Sequence, residues 1–310
     1  MSEFRYRPSK WVPFRDTEAL ERCRRIRRQD IDKHPNPDFR IRVVKDADIE
    51  FIWVTDMFHR IRTAADEGRT MTMILPNPCP TYRHVARLIN TFGVDCRHLR
   101  LFAMDEYADE DGRVAPVTWR LGFGYAMLHN FVYEIDESLR PPADQVVMFT
   151  TDNVNDYSKM IEDAGGADIC YSGPGWTGHL AFIEPDAPEF DAPLEQWKQM
   201  GSRICTLSPF TLAQNSLHGS FGYSGDIAAV PPKAATIGPA DVIAARHRLD
   251  FNAITVHGTT TSWQRLMTRL VAHGPVTPKL PTSIHQLLRT DFYISETAAM
   301  DIEPDFDKGY

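Results

Sequence analysis

The segment Ala167–Pro185, ADICYSGPGWTGHLAFIEP, runs an apolar stretch into a glycine-rich turn and then into a second apolar stretch. ADICYS (167–172) has the length and composition of a short buried strand. The thirteen residues that follow, GPGWTGHLAFIEP (173–185), hold three glycines, one histidine and one glutamate. Glycines at the end of a strand let the backbone press close to a bound molecule. His179 stands just after that turn, where an imidazole can move a proton near neutral pH. Glu184, five residues on, is placed to hydrogen-bond the ring and set its tautomer. A histidine satisfied inside the core is the other reading of the same position, and local pattern does not choose between them.

Outward from this segment the chain alternates strand and helix signals. TMTMIL (70–75) reads as a buried strand behind a helical pattern that carries Ile49, Ile52, Met57, Phe58 and Ile61 and ends near Gly68. PTYRHVARLINTFG reads as a helix with Pro80 near its start, LRLFAM (99–104) as a strand, and TWRLGFGYAMLHNFVYEI as a long helix. Further strands are expected at AATIG (234–238), NAITVH (252–257) and DFYIS (291–295), with helices at DVIAARH and TSWQRLMTRLVAHG between them. Such alternation predicts an α/β fold, a Rossmann-like and mostly parallel sheet with helices on both faces. Residues 46–310 form that single domain in this reading. Residues 1–45, basic and punctuated by Trp and Pro, form an N-terminal extension with one helix presenting Leu20, Cys23 and Ile26 on one side.

Composition narrows the partners. Lys and Arg number 34 against 42 Asp and Glu, a net charge of −8, which gives no electrostatic footprint for nucleic acid or an anionic membrane. The arginine run of the extension fits a solvated helix face. The five cysteines form no CxxC pair and read as reduced thiols. With no apolar run near the length of a membrane span and no secretory apolar region, a cytoplasmic protein handling small molecules is expected, without nucleic acid or membrane partners.

In a parallel sheet, ligands sit beyond the carboxyl ends of the strands. Three such ends carry polar groups: ILPNPCPT, with Asn77, Cys79 and Thr81; MDEY, with the adjacent acids Asp105 and Glu106; and the turn before His179. Solvated acids at a loop start are the alternative for MDEY, which the following ADEDG favours. A Cys79 nucleophile has no Cys-His spacing behind it. No Walker loop, no GxGxxG between strand and helix, and no metal-ligand spacing among the eleven histidines is present.

Taken in order, LPNPCPT (75–81), LFAMDEY (101–107), GPGWTGHLAFIEP (173–185) and PPKAATIG (231–238) resemble the signature blocks of the glucosamine-6-phosphate deaminase/isomerase family. The resemblance runs from about residue 46 to 298, and its most specific parts are MDEY and GHLAFIEP, which are similar to the family's MDEY and DGHIAFNEP. It implies a pocket for a phosphorylated amino sugar and no nucleotide, metal or organic cofactor. Asp105 matches the acid that shuttles a proton between C1 and C2 of the opened sugar, and His179 with Glu184 matches the pair that opens the ring. Asn77, Cys79, Thr81, Glu106, Gly175, Trp176, Thr177, Gly178 and Lys233 are the substrate-binding candidates, with the indole of Trp176 able to stack on a sugar face. Subunits of the family usually associate, so a homo-oligomer is expected.

The departures from the family pattern concern recognition. Asn77-Pro78-Cys79-Pro80 replaces a Gly-Ser/Thr-rich phosphate loop, and proline removes the N–H donors of which a phosphate cradle is made. Thr177 stands for the acid two residues before the histidine, Leu217 for an arginine after the Asn215-Ser216 pair, and Thr259–Thr261 for a basic residue. This pattern predicts that the proton-transfer half is kept while the recognition half is rebuilt for an unphosphorylated or differently substituted sugar, with Lys233 or arginines of the extension as sources of a new anion site. The expected activity is an aldose–ketose or deaminating isomerase. A non-catalytic sugar sensor and a lactonase-type hydrolase on the related scaffold are the alternatives.

Overall fold

A computed structural model describes residues 6–252, 264–304 and 306–307. Ten strands are described: β1 (Phe39–Val44), β2 (Met71–Leu75), β3 (Leu99–Ala103), β4 (Asp105–Ala108), β5 (Val146–Val147), β6 (Ile169–Ser172), β7 (Arg203–Thr206), β8 (Lys233–Thr236), β9 (Arg248–Asn252) and β10 (Thr290–Ser295). Seven make one sheet in the order β1-β10-β9-β6-β2-β3-β5, and each of its pairings is parallel. β4, β8 and β7 make a separate antiparallel sheet.

Side-chain alternation explains why the large sheet is covered twice. Along β2, Met71, Met73 and Leu75 enter one apolar cluster while Ile74 enters the opposite one. Helices α2 (Ile49–Asp66), α3 (Tyr82–Phe92) and α4 (Phe123–Asn130) fill the first cluster through Met57, Ile61, Val85, Ile89 and Met127. The opposite face receives α5 (Tyr157–Asp163), α8 (Pro239–Ala244) and the small sheet. The single α/β domain with helices on both faces is thus the expected class.

Several boundaries differ from the expectation. AATIG is not a strand of the parallel sheet: Ala234 and Ala235 lie in β8, antiparallel between β4 and β7. The helix expected over residues 118–135 begins only at Phe123 and gives way to a 3-10 turn at Val132–Glu134, because a buried carboxylate caps the chain at Phe123 and Gly124. The strand placed at 252–257 is seen at Arg248–Asn252, and residues 253–257, like Thr259–Thr261, lie outside the described residues. Alternating polar residues hid it: Arg248, Asp250 and Asn252 are all buried. Residues 39–44, assigned to the extension, instead form the edge strand β1, paired in parallel with β10.

The extension is bound to the domain at a second place. Helix α1 (Thr17–Arg24), capped by Asp16 whose carboxylate accepts from Glu18 and Ala19 N–H, packs Leu20 and Cys23 on Leu270 of α9 (Gln264–His273). From α9 the guanidinium of Arg269, fully buried, donates to the carbonyls of Ile26, Arg265, Ala299 and Met300 at 2.8–2.9 Å. One side chain therefore joins Ile26, just after α1, to the Ala299–Met300 segment after β10. No helix among the described residues is long and apolar enough to cross a membrane, and all five cysteines are free thiols. Replacing Arg269 with Met strands several buried carbonyls, and a loss of about 3 kcal/mol of stability is expected. Urea unfolding checks this, and an unchanged midpoint would refute the tie.

Candidate active site

Where β2, β3, β6 and β9 end, the chain leaves the sheet and borders a cleft of about 510 Å³. Pro76–Thr81 after β2, Met104 and Asp105 after β3, Ser172 and Gly173 at the end of β6, and Phe251 of β9 line it. Asp46 just before α2, Glu50 and Trp53 from its first turns, Gln214 and Asn215 at the end of α7 (Pro209–Asn215) and His218 just beyond it complete the lining. The site thus occupies the crevice at the carboxyl ends of the parallel strands.

Asp105 and Glu106 are neighbours with opposite surroundings, because successive residues of a strand face opposite ways. The carboxylate of Glu106 turns from the cleft and accepts the N–H groups of Tyr107 at 2.8 Å, Phe123 at 3.0 Å and Gly124 at 2.6 Å. It is the N-terminal cap of α4, whose own cap residue, Gly122, has no side chain to offer. Asp105 lines the cleft, and its Oδ1 is buried without a partner among the described residues. Burial, and then the charge of Glu106, push the Asp105 carboxyl well above the usual carboxylate range.

His179 also lines the cleft. Its Nδ1 lies 3.0 Å from the hydroxyls of Thr177 and Thr211 and 3.5 Å from Oε2 of Glu184. The Thr177 hydroxyl spends its one proton on Glu184 at 3.1 Å, so toward the ring its oxygen accepts. With Nδ1 donating to that oxygen, the lone pair is left on Nε2, the form of a general base. Glu184 is fixed from its other oxygen by the N–H of Ser208 at 3.4 Å. The threonine in place of the family's acid is therefore a relay between ring and carboxylate.

The remaining candidates divide. Asn77, Cys79 and Thr81 line the cleft with Asp105 and His179, and the Cys79 thiol is pushed up to about 12 by burial, which holds it protonated. Glu106, Gly175, Trp176, Thr177, Gly178, Glu184 and Lys233 do not line it. Glu106 serves the backbone, as above. Gly175 lies under the imidazole, where an added Cβ would sit 2.0 Å from Cε1 and Nε2 of His179. Gly178 turns the chain with φ of +77°, and its Cβ would meet Sδ of Met267 at 2.8 Å. Trp176 is held through its backbone, its N–H donating to Oε1 of Gln214 at 2.7 Å. Lys233, in β8, donates to the carbonyl of Glu110 at 2.8 Å. Of the extension's arginines, Arg25 pairs with Glu21 and Arg27 with Asp301, and none among the described residues lines the cleft.

Sequence reasoning missed Glu50, Trp53, Ser172, Gln214, Asn215 and His218. The one available signal was the polar run Gln214–Ser216 inside an otherwise apolar helical stretch, where Gln214, Asn215 and Ser216 are buried. Beneath the cleft, Ser172 donates to Oδ2 of the fully buried Asp250 at 2.7 Å, and Asn252 donates to its Oδ1 at 2.8 Å. Among the described residues no cluster of three or more His, Cys, Asp or Glu is placed to hold a metal.

No family model matches the chain. Curated relatives do. A glucosamine-6-phosphate deaminase of Caenorhabditis elegans is 27% identical over 194 residues, 60% of this chain and 65% of that protein, just under two thirds of its length. One of Porphyromonas gingivalis is 26% identical over 272 residues, 84% of this chain and 92% of the relative. Among solved structures, a monomeric glucosamine-6-phosphate deaminase superposes with a TM-score of 0.67 at 18% identity, covering 84% of this chain and 98% of its own. A 6-phosphogluconolactonase of Leishmania guyanensis does so with a TM-score of 0.59 at 12% identity, covering 85% and 98%. At those identities the two structures speak for the fold.

The adjacent acids separate in a stability experiment. Glu106→Ala orphans buried N–H groups at the start of α4 and is expected to remove about 3 kcal/mol. For Asp105 the folded value is raised, so its contribution is present below the ordinary carboxylate range and is lost as pH rises through the folded value. Asp105→Asn escapes that loss, and its melting temperature relative to the parent should climb as pH rises. A difference independent of pH would show that Asp105 titrates normally.

Proposed function

We propose that this chain, a divergent member of the glucosamine-6-phosphate deaminase family, opens the ring of a sugar or amino sugar and moves a proton between C1 and C2, as an aldose–ketose or deaminating isomerase. The observation that carries the reading is the meeting, in one cleft, of an unpartnered buried carboxyl, Asp105, with a histidine whose Nδ1 proton is committed to Thr177.

His179 takes the proton of the anomeric hydroxyl on Nε2 and returns it to the ring oxygen as the C1–O bond opens. The imidazolium formed in between is stabilised by Glu184, at 3.5 Å and through Thr177. Asp105, as carboxylate, then takes the proton from C2 to give the enediol or enolamine and delivers it to C1, while a proton of the C2 hydroxyl or ammonium passes to the C1 oxygen; in the deaminating case water then adds at C2 and ammonia leaves. A carboxyl raised by burial is better matched to that work than an ordinary one, because a base is most effective with a pKa near its operating pH. Stacked Trp53 and Phe251, with ring centroids 4.7 Å apart, make an apolar wall at the same cleft. An intracellular setting and subunit association belong to the proposal, the first from the unpaired thiols and the second from the family resemblance.

The lactonase-type alternative would need His179 to activate water on a sugar lactone and would have no use for Asp105. The sensor alternative would need neither. Deuterium exchange at C2 of a sugar panel, followed by NMR together with ketose and ammonia release, distinguishes all three. Asp105→Asn is expected to lower exchange by about 10²–10⁴-fold, the usual weight of a positioned base. Thr177→Val should lower ring opening by about tenfold while leaving the fold intact, since it breaks only the relay. The rate should fall as pH falls through the raised Asp105 value, since only the carboxylate accepts a proton. Exchange that survives Asp105→Asn, or lactone hydrolysis without exchange, would sink the isomerase.

Gly175→Ala offers an independent check on the ring position. Its Cβ cannot coexist with the imidazole where it stands, so the kcat of ring opening should fall by about 10²-fold or more.

A further inference from the structure

The curated relatives are named for a phosphate ester, yet the cleft of this chain carries no Lys or Arg among its described lining residues. The chain that follows β9, residues 253–263, contains neither type as well. Carboxyl groups stand there instead. Glu50 and Asp46 border the cleft at the start of α2, Glu50 accepting from the Thr81 hydroxyl at 3.2 Å and lying 3.5 Å from Nε2 of His84, and Asp46 accepting from the Thr297 hydroxyl at 2.9 Å.

The other usual way to hold a phosphate is a nest of backbone N–H groups. The loop after β2 is Pro76-Asn77-Pro78-Cys79-Pro80, in which only Asn77 and Cys79 have an N–H to give. His218 lines the same cleft with its Nδ1 unpartnered among the described residues. Burial, and then the nearby His179, push its imidazole down to about 4, so at neutral pH it is an uncharged donor and acceptor. Asn215, one turn earlier, donates to the Tyr107 hydroxyl at 2.9 Å and is held in place by it. These are groups that read hydroxyls. A phosphate dianion would lose its hydration there and face carboxylates without a compensating cation.

We infer that the cleft takes an unphosphorylated sugar or amino sugar, whose end remote from the reacting carbons is met as hydroxyl by His218 and its neutral neighbours. The inference rests on the ring-opening reading for the orientation of the sugar, and concerns its substrate class alone.

Binding tests it apart from turnover. Asp105→Asn is titrated calorimetrically with glucosamine, fructose and the 6-phosphate of each, with inorganic phosphate as a competitor. Each free sugar should bind at least about tenfold more tightly than its 6-phosphate, and inorganic phosphate should not compete. In the same background, His218→Arg and Glu50→Lys each place a cation in the lining of the cleft, and each is expected to raise affinity for the 6-phosphates by about tenfold. Equal or tighter binding of the 6-phosphates by the unaltered cleft overturns the inference, as does binding of neither form. If the wild-type enzyme turns over the 6-phosphates in preference, the ring-opening reading stands and this inference falls. If free sugar binds but the wild-type enzyme exchanges no C2 proton, the inference stands and the ring-opening reading falls.

Discussion

The carboxylate of Glu106 holds the site together without touching the cleft. β3 belongs to the parallel sheet and β4 to the antiparallel one, with only Met104 between them. The chain must therefore change sheets at the point where Asp105 is presented. Three backbone N–H groups converging on Glu106 fix that crossing, two of them from the first turn of α4. Strand alternation then leaves Asp105 no direction but the cleft. A buried acid usually destabilises, and burial does raise Glu106, but N–H donors at a helix start offset the charge. Asp105 has no such donors, and the same burial raises its carboxyl well above the usual carboxylate range.

The histidine side of the site follows a similar division between support and exposure. Gly175 leaves room for the ring, Thr177 and Thr211 take its Nδ1, and Glu184 stands behind at under 1% side-chain exposure. Ala181, two residues past His179, holds a positive φ of 52° and lines the cleft, a conformation that an L residue adopts at some strain. The packing of Leu180, Phe182 and Ile183 into the main apolar cluster sustains it. A threonine relay differs from a direct carboxylate in one respect: its hydroxyl passes the influence of Glu184 to the ring while adding no charge of its own. The ring then stands against one carboxylate rather than two.

What sequence could show depended on how local the cause was. The α/β class, the strands β2, β3, β6 and β10 and the helices between them were legible because continuous apolar runs and 3.6-residue patterns decide them. The segment Arg248–Asn252 of β9 was not legible because Arg248, Asp250 and Asn252 are buried polar residues satisfied by distant partners, the carbonyl of Arg289 and the hydroxyl of Ser172 among them. β4 and β8 were misassigned because an antiparallel sheet closing over a parallel one depends on pairings more than a hundred residues apart. Motif order pointed to Asp105 and His179, which line the cleft, and to Glu184 beside the His179 ring, while the cleft residues of α2 and α7 carry no motif. Glu106 and Lys233 were drawn toward the substrate by their charge alone, and backbone groups far off in sequence had already taken them.

The uncharged character of the recognition groups and the behaviour of the base are linked by one electrostatic argument. Asp105 is raised by burial and by a neighbouring carboxylate, with no cation in the cleft to lower it again among the described residues. A dianionic ligand in that space would add repulsion to the ionised form, shifting the carboxyl further toward its protonated state and silencing the base as the substrate arrived. A cleft that receives phosphate needs cations as much to protect its base as to hold its ligand. With a neutral polyol Asp105 keeps the balance it has in the free protein. An ammonium at C2 moves that balance toward the carboxylate at the step that needs it, so the absence of described cations and the raised Asp105 both favour a substrate that brings no large negative charge.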